Sequence, residues 1–450
     1  MNTHTILLAG GKGTRMLSKK AKVLQVLAGK SFLEHTLSSA KEISDRVSII
    51  VGFDKDSVIK EVSKLSKIAK TFEQKDQIGT ADAVKTAIDF IEENEKTLIL
   101  YGDVPLIKKS TLKKLCSLND SLSILTTNLT DPTGYGRVLK DSNGFVEEII
   151  EEKDTNAEQK SIKEVFTGVM AVNGKILKEL LPLINNKNES AEYYLTDLIG
   201  IANCNGFKIE SLSVSCQETL GANTRSEQEK LEQTYRKMKN EELLTNGISL
   251  IDKDRVDVRG TLKAGSDCII DINVILEGEV ELGNNVKIGA NSIVCNTKID
   301  DNSEILPFSH IDSSQIGKDC SIGPYARLRE GSEIADGARV GNFVETKKTK
   351  IGKSSKANHF TYLGDAEIGN DVNIGAGTIT CNYDGKNKNR TRIGKSSFIG
   401  TNSSLIAPVN IGKNAYVGAG STITKDVPDN SLGISRSKQK NVKDWSKNKK

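Results

Sequence analysis

Between Thr3 and about Ser213, short β-rich apolar runs alternate with segments of helical periodicity. Strands are expected at Thr5–Leu8, Val47–Val51, Thr97–Tyr101, Ser123–Asn128 and Val165–Ala171. Helices are expected at Phe32–Glu42, Asp54–Leu65, Thr80–Ile91, Thr111–Leu118 and Glu192–Ala202. Such alternation predicts a mainly parallel sheet covered by helices on both faces. One hairpin interrupts it: Gly136–Lys140 and Phe145–Glu151 flank the turn Asp141-Ser142-Asn143-Gly144 and should form a lobe beside the main sheet.

The capping-box sequence Ser226-Glu227-Gln228-Glu229 then opens a single helix with Leu231, Tyr235, Met238 and Leu243 at helical spacing and Gly247 as its stop. Beyond about Val256 the period becomes six. Aliphatics recur at Ile270, Leu276, Leu282, Ile288 and Val294, slip by one residue, and resume at Ile299, Ile305 and Ile311. After a second slip they run through Ile316, Ile322, Leu328, Ile334 and Val340, and the last series extends from Ile393 to Ile423. Neither a helix nor an isolated sheet has this period. A parallel β-helix does, with three short strands per coil and each inward aliphatic stacked on the coil below.

The chain has 450 residues, 63 Lys+Arg against 59 Asp+Glu, and 37% hydrophobic residues, enough for two or three domains with real cores. Its formal charge is +4, but Arg436 to Lys450 alone contributes +6, which leaves −2 on the rest. The body is therefore not a basic nucleic-acid-binding surface. No apolar run is long enough to span a bilayer and the N-terminus lacks a secretory pattern, so no stable membrane insertion and a cytoplasmic location are expected. Seven scattered cysteines without a C-x-x-C pair predict reduced, buried thiols rather than disulfides or a zinc site.

Candidate chemistry begins right after the first strand, at Leu8-Ala9-Gly10-Gly11-Lys12-Gly13-Thr14-Arg15-Met16. Glycines there let backbone N–H groups approach a phosphate chain, and Arg15 can clamp its oxygens. Met16 stands where the dinucleotide fingerprint needs glycine, and no Gly-Lys-Ser in the chain has the upstream glycine of a Walker loop. In Tyr101-Gly102-Asp103 a strand ends in a carboxylate, where an open α/β sheet holds a ligand or a metal. Asp103 suits Mg²⁺, a hard cation that bridges phosphates. In the second half, the hexapeptide rhythm breaks between Ile351 and Arg392 at Lys356 to Asp365 and at the loop Cys381 to Lys388. His359 lies beside that break, and a histidine titrating near pH 6.5 suits a general base.

These segments, with Lys22, Gln74, Gly79-Thr80, Asp131 to Arg137, Glu151 and Asn223, closely resemble sugar-phosphate nucleotidylyltransferases. With the hexapeptide half added, the chain resembles the bifunctional N-acetylglucosamine-1-phosphate uridylyltransferase / glucosamine-1-phosphate N-acetyltransferase family over nearly its whole length. The fold class so implied is α/β: a Rossmann-like nucleotidyltransferase domain at 1–225, a linker helix at 226–247, and a left-handed parallel β-helix with a basic tail at 248–450. Such prisms commonly form three-fold homotrimers. The resemblance implies that Leu8, Ala9, Gly10, Gly11, Gln74, Gly79 and Thr80 bind the uridine part of UTP, with Tyr101 and Gly102 beside them. Asp103 and Asn223 would hold Mg²⁺, Gly136 and Glu151 would contact the sugar, and Arg15 and Lys22 would act catalytically by neutralising phosphates. N-acetylglucosamine-1-phosphate would attack the α-phosphorus of UTP in line, and pyrophosphate would leave.

In the second half the resemblance assigns Arg329, Lys347, Tyr362, Asn373 and Lys388 to the phosphate and sugar of glucosamine-1-phosphate. It assigns Asn382, Tyr383, Thr401, Ala419 and Arg436 to acetyl-CoA and makes His359 the base, oriented by Glu345. The chain departs from the family pattern with Ala21 for proline, Thr401 for serine, and Phe166 for an asparagine that contacts the acetamido sugar. A phenyl ring cannot make that amide's hydrogen bonds. A β-helix serving only as a scaffold would need none of His359, Asn382, Tyr383, Lys347 and Lys388, and a decayed nucleotidyl domain would not keep Arg15, Lys22, Asp103 and Asn223.

Overall fold

In the strand Thr3–Ala9, Ile6 and Leu8 pack into one buried cluster while Leu7 and Ala9 pack into another. Successive strand side chains face opposite sides, so a strand buried along its whole length must be covered on both. The computed structural model, which describes residues 2–448, shows how. The strand lies within a sheet of order Ile209–Val214, Leu122–Asn128, Glu164–Asn173, Lys96–Tyr101, Thr3–Ala9, Arg46–Val51, Ala69–Glu73. Helices Phe32–Lys41, Lys55–Leu65 and Lys109–Leu118 cover one face. Helices Thr80–Lys85, Gly174–Leu180 and Asp197–Cys204 cover the other.

The sheet is less parallel than the alternation suggested, because Glu164–Asn173 runs antiparallel to both of its neighbours. It enters from the Arg137–Lys140/Val146–Ile150 hairpin rather than from a crossover helix, and so arrives from the opposite end. Its register shifts between Phe166 and Met170, where Gly168 has φ +86° and a Cβ would lie 2.5 Å from the Tyr101 ring. The helix expected at Thr80–Ile91 stops at Lys85 and resumes as a 3₁₀ turn at Ile88–Phe90, with the Thr86 hydroxyl donating to Ala83 O at the break. The helix expected from Glu192 begins only at Asp197. Residues before it bridge to the chain around Gly79 instead: Tyr193 N donates to Ile78 O, and Tyr193 O accepts from Ala81 N, both at 2.9 Å. Two strands at the sheet's edges, Ala69–Glu73 and Ile209–Val214, carry mixed polar and half-buried residues and gave no alternating signal.

The described residues form two compact units that divide between Tyr235 and Arg236, inside the helix Arg225–Thr245. The cap of that helix is Thr224, whose hydroxyl accepts from Glu227 N at 3.2 Å while the Glu227 carboxylate accepts from Asn223 N at 2.8 Å. The capping box therefore lies two residues before the one expected at Ser226.

Every inward aliphatic of the six-residue series from Ile270 to Ile423 is buried in one continuous core. Parallel register pairs Ile275 with Ile293, eighteen residues on, and Glu304 with Ser321, seventeen on. Each slip in the sequence is thus a coil shortened by one residue. At the corners, Asn273 and Asn291 take positive φ (+58° and +59°) and hydrogen-bond amide to amide at 2.9 Å. Glu367 pairs with Arg392, twenty-five residues on, and the extra length is the loop around Tyr383 and Lys388. All seven cysteines are free thiols, but only Cys268 and Cys320 are buried; Cys204 and Cys216 are exposed, correcting the expectation of burial.

Candidate active sites

The first site is a cleft of about 470 Å³ at the ends of Thr3–Ala9 and Lys96–Tyr101. Of the residues expected there, Leu8, Gly10, Gly11, Arg15, Lys22, Gln74, Gly79, Thr80, Tyr101, Asp103 and Asn223 line it. Ala9 is buried in the opposite face of the sheet, and Gly102 is held beneath, its N–H donating to Leu8 O. Gly136 and Glu151 lie outside the lining, next to each other at the root of the hairpin, where a Cβ on Gly136 would be 3.7 Å from Glu151 Oε2. Lys12, Gln77 and Glu192 also line the cleft and were missed. Lys12 belongs to the glycine-rich run that pointed to the site, whereas Gln77 and Glu192 carry no local signal.

Gly79, at φ +135°, permits the close bridge to Tyr193; a Cβ would sit 2.3 Å from Tyr193 O. That bridge fixes Gln74, whose amide nitrogen donates to Gly79 O (2.9 Å) and Asp82 Oδ2 (2.8 Å). Its Oε1 is left as an acceptor facing Gly10, where a Cβ would approach it to 3.5 Å. Across the cleft, the Lys22 ammonium forms an ion pair with Asp103 and donates to Asn223 Oδ1 at 2.6 Å. The Asn223 amide nitrogen is directed away, toward Glu227 Oε2 at 3.3 Å, so its oxygen faces the cation. Two oxygen-bearing groups, Asp103 and Asn223, thus meet one ammonium where the strand of Tyr101 ends.

Beside this cleft the carboxyls are pushed up. Burial raises Glu151, which accepts from the Thr196 hydroxyl at 3.0 Å, and Asp197 is pushed up to about 6 by burial and by Glu151, Asp154 and Glu148. Burial also raises the Tyr101 phenol, which bonds Thr80. Phe166 is buried against the cluster of Val138 and Ile149, its N–H donating to Gly136 O at 2.9 Å. Elsewhere in this unit Ser48 Oγ, His4 and Glu95 form a chain of 2.8 and 3.1 Å links with the connectivity of a nucleophilic triad. Ser48 is 2% exposed and outside the cleft, and burial lowers the His4 pKa, so this network is structural.

The second site lies on the long strand Lys356–Gly364 of the β-helix. His359 is exposed and pairs in register with Asn342, and its Nδ1 donates to Asn342 Oδ1 at 2.9 Å. Glu345, expected to orient this histidine, is instead bound to Arg329 (2.9 Å) and pairs with Tyr362. The correction follows from the seventeen-residue coil, which stacks residue 342 on 359 and leaves 345 three positions further along. Lys388 and Arg329 lie close enough to Lys347 to lower its pKa by repulsion, so three cations converge, with Tyr362 beside Arg329. Asn382 is buried and donates to Asp365 at 2.5 Å, while exposed Tyr383 donates to Gly385 O, shaping the inserted loop. Asn373 pairs with Lys356, one coil on.

Backbone bonds from Gly377 to Phe360, Asn402 to Ala376 and Gly420 to Thr401 stack successive coils at one corner. Thr401 and Ala419 therefore share the corner of His359, and Arg436 donates to Ala419 O at 2.7 Å. Among the described residues no group of three or more His, Cys, Asp or Glu is placed to hold a metal, and no helix is long and apolar enough to cross a membrane.

A MobA-like NTP transferase domain model matches residues 5–139, and a bacterial transferase hexapeptide model of six repeats matches 313–348 and 390–425. Hexapeptide repeats of this kind make the parallel β-helix a left-handed one. Curated relatives include the bifunctional protein GlmU of Idiomarina loihiensis, 47% identical over 99% of this chain and 98% of its own. Those of Saccharophagus degradans and Cellvibrio japonicus are 48% and 46% identical, each over 98% of both chains. A solved UDP-glucose pyrophosphorylase complexed with UDP-glucose matches at a TM-score of 0.44 and 15% identity, covering 53% of this chain and 100% of that one.

Proposed function

The chain belongs to the family of bifunctional GlmU proteins, and from that premise we propose that it acetylates glucosamine-1-phosphate in its second half and couples the product to UTP in its first. The observation that carries this reading is that one chain holds both constellations, Lys22–Asp103–Asn223 in its first unit and Asn342–His359 beside three cations in its second. We assign residues 1–225 to the uridylyltransferase, 226–247 to the linker helix and 248–450 to the acetyltransferase.

In the first site Gln74 Oε1, its amide nitrogen committed elsewhere, would accept from the imide N–H of uracil. Arg15 and Lys22 would neutralise the phosphates of UTP, and Gly136 and Glu151 would hold the sugar. The donor set suits Mg²⁺: an Asp103 carboxylate and an Asn223 amide oxygen already converge on one cation, and both are hard oxygen ligands. The remaining ligands would come from phosphates and water. When bound, Mg²⁺ would draw charge from the triphosphate as N-acetylglucosamine-1-phosphate displaces pyrophosphate. The protein's own part is to align the attacking phosphate and exclude competing geometries.

In the second site Asn342 accepts from His359 Nδ1, which leaves Nε2 with the lone pair. Nε2 would take a proton from the amine of glucosamine-1-phosphate as the nitrogen attacks the thioester of acetyl-CoA, and the CoA thiolate would leave. Arg329, Lys347 and Lys388, with Tyr362 and Asn373, suit the dianionic phosphate of that sugar. Thr401, Ala419 and Arg436 on the shared corner, with Asn382 and Tyr383, would hold acetyl-CoA. A homotrimer is supported by an exposed column of stacked rings, Phe308, Tyr325 and Phe343, at a corner next to Asn342. Nucleotide and CoA substrates favour a cytoplasmic location.

Mg²⁺-dependent pyrophosphate release from UTP tests the reading, with N-acetylglucosamine-1-phosphate compared against glucosamine-1-phosphate and glucose-1-phosphate. A strong preference for the acetylated sugar, and rescue of glucosamine-1-phosphate by acetyl-CoA, are expected despite Phe166. Release without that preference would overturn the substrate assignment.

A further inference from the structure

The Lys22 ammonium sits where a metal ion would have to sit. Its two contacts are the Asp103 carboxylate and the Asn223 amide oxygen, the same two groups assigned above to Mg²⁺, and its side chain is only 12% exposed. An ammonium and a divalent ion compete for these oxygens. Resting on the metal assignment above, we propose that Lys22 is an internal counter-cation that occupies the metal position until the phosphates of a nucleotide withdraw it, so that the divalent ion binds well only together with the nucleotide.

The surroundings hold Lys22 in this place. Gly13, at φ +62°, lies so close to the lysine stem that a Cβ would be 2.8 Å from Lys22 Cβ. Gly102 approaches Val23 in the same way, and Gly221 packs on the Asp103 backbone, where a Cβ would be 2.8 Å from Asp103 O. The Asn223 oxygen is aimed at the ammonium because its amide nitrogen and its backbone N–H are both bound by Glu227. The carboxylate is thus neutralised in the free protein without a metal, which removes the desolvation cost of leaving it unpaired. Lys22 and Arg15 both line the cleft of the glycine-rich run. A triphosphate placed there offers the ammonium several oxygens at once, and its departure exposes Asp103 and Asn223 to the metal that the phosphates bring.

A ligand whose site is open only part of the time has its apparent affinity reduced by the open fraction. Removing the competing ammonium should therefore strengthen metal binding to the nucleotide-free protein. The experiment titrates the full chain with Mn²⁺ alone, following the free-ion EPR signal, for wild type, Lys22→Met, Lys22→Gln, Lys22→Arg and Asp103→Ala. We expect weak binding by wild type and by Lys22→Arg, which keeps a cation, and binding about fivefold to tenfold tighter for Lys22→Met and Lys22→Gln. Circular dichroism confirms that each variant is folded, and two neutral variants guard against loss of one. Unchanged or weaker Mn²⁺ binding in the folded neutral variants overturns the counter-cation. Asp103→Ala separates that failure from failure of the metal assignment: if it binds Mn²⁺ as wild type does, Asp103 is no ligand and the assignment itself falls.

Discussion

Asn342 Oδ1 accepts a hydrogen bond of 2.9 Å from His359 Nδ1, one coil above it in the β-helix. An amide oxygen can only accept, so this contact places the proton on Nδ1 and the basic lone pair on Nε2. Asn342 is thus a positioning residue that acts through His359. Asn342→Ala should lower kcat for acetyl transfer about tenfold or more with a smaller change in KM, since general-base catalysis contributes roughly a hundredfold or more in total. Asn342→Asp should restore much of the rate and move the acid limb of the pH profile upward, because a carboxylate stabilises the imidazolium. If both variants keep the wild-type profile, the orientation is set elsewhere.

The two constellations belong to separately packed units, with separate cores. His359→Ala should abolish acetyl transfer and leave uridylyl transfer unchanged, while Asp103→Ala should do the reverse. Assaying both reactions on each purified variant checks this. Loss of both activities in either one contradicts independent sites.

Where its period is unbroken the β-helix was readable from sequence down to its coil lengths, because a six-residue period is imposed by the core itself and the two one-residue slips appear in the registers of Lys287 with Glu304 and of Glu304 with Ser321. The cleft was readable wherever residues lay in one glycine-rich run or at a strand end. What escaped depends on long-range pairing. The late start of the helix at Asp197 comes from Tyr193 bonding residues 78 and 81, and the antiparallel Glu164–Asn173 strand comes from its entry through a hairpin. The partner of His359 was misjudged for a related reason: the seventeen-residue coil stacks Asn342 on it and places Glu345 three positions further along, against Tyr362.

Asp197 gives a pH-dependent stability test. Its pKa rises from 3.8 to about 6 on folding, so the folded state prefers the protonated acid. A group of this kind costs nothing below 3.8, and its cost grows to a maximum above about 6 as the half-buried carboxylate ionises beside Glu151. Asp197→Asn should therefore raise the melting temperature at pH 7.5 and leave it nearly unchanged at pH 4. Thermal denaturation at the two pH values reads the difference. A larger gain at pH 4 would reverse the sign and remove burial as the cause.

Phe308, Tyr325 and Phe343 stack at 5.0 and 5.3 Å with positive φ of +61°, +55° and +55°, a conformation that costs bulky residues about 1 kcal/mol or more each. On the coils before them the same corner carries Asn273 and Asn291, which adopt it with less strain. Rings half exposed to water and strained in the backbone do not serve the coil's own stability, and their value must lie in what covers them. The double variant Tyr325→Asn, Phe343→Asn should therefore relieve strain within the coil while weakening self-association. Sedimentation equilibrium should show wild type as a trimer and the variant shifted toward monomer at the same concentration, with the β-sheet circular dichroism of the prism retained. A variant that stays trimeric would mean that these rings do not lie between copies.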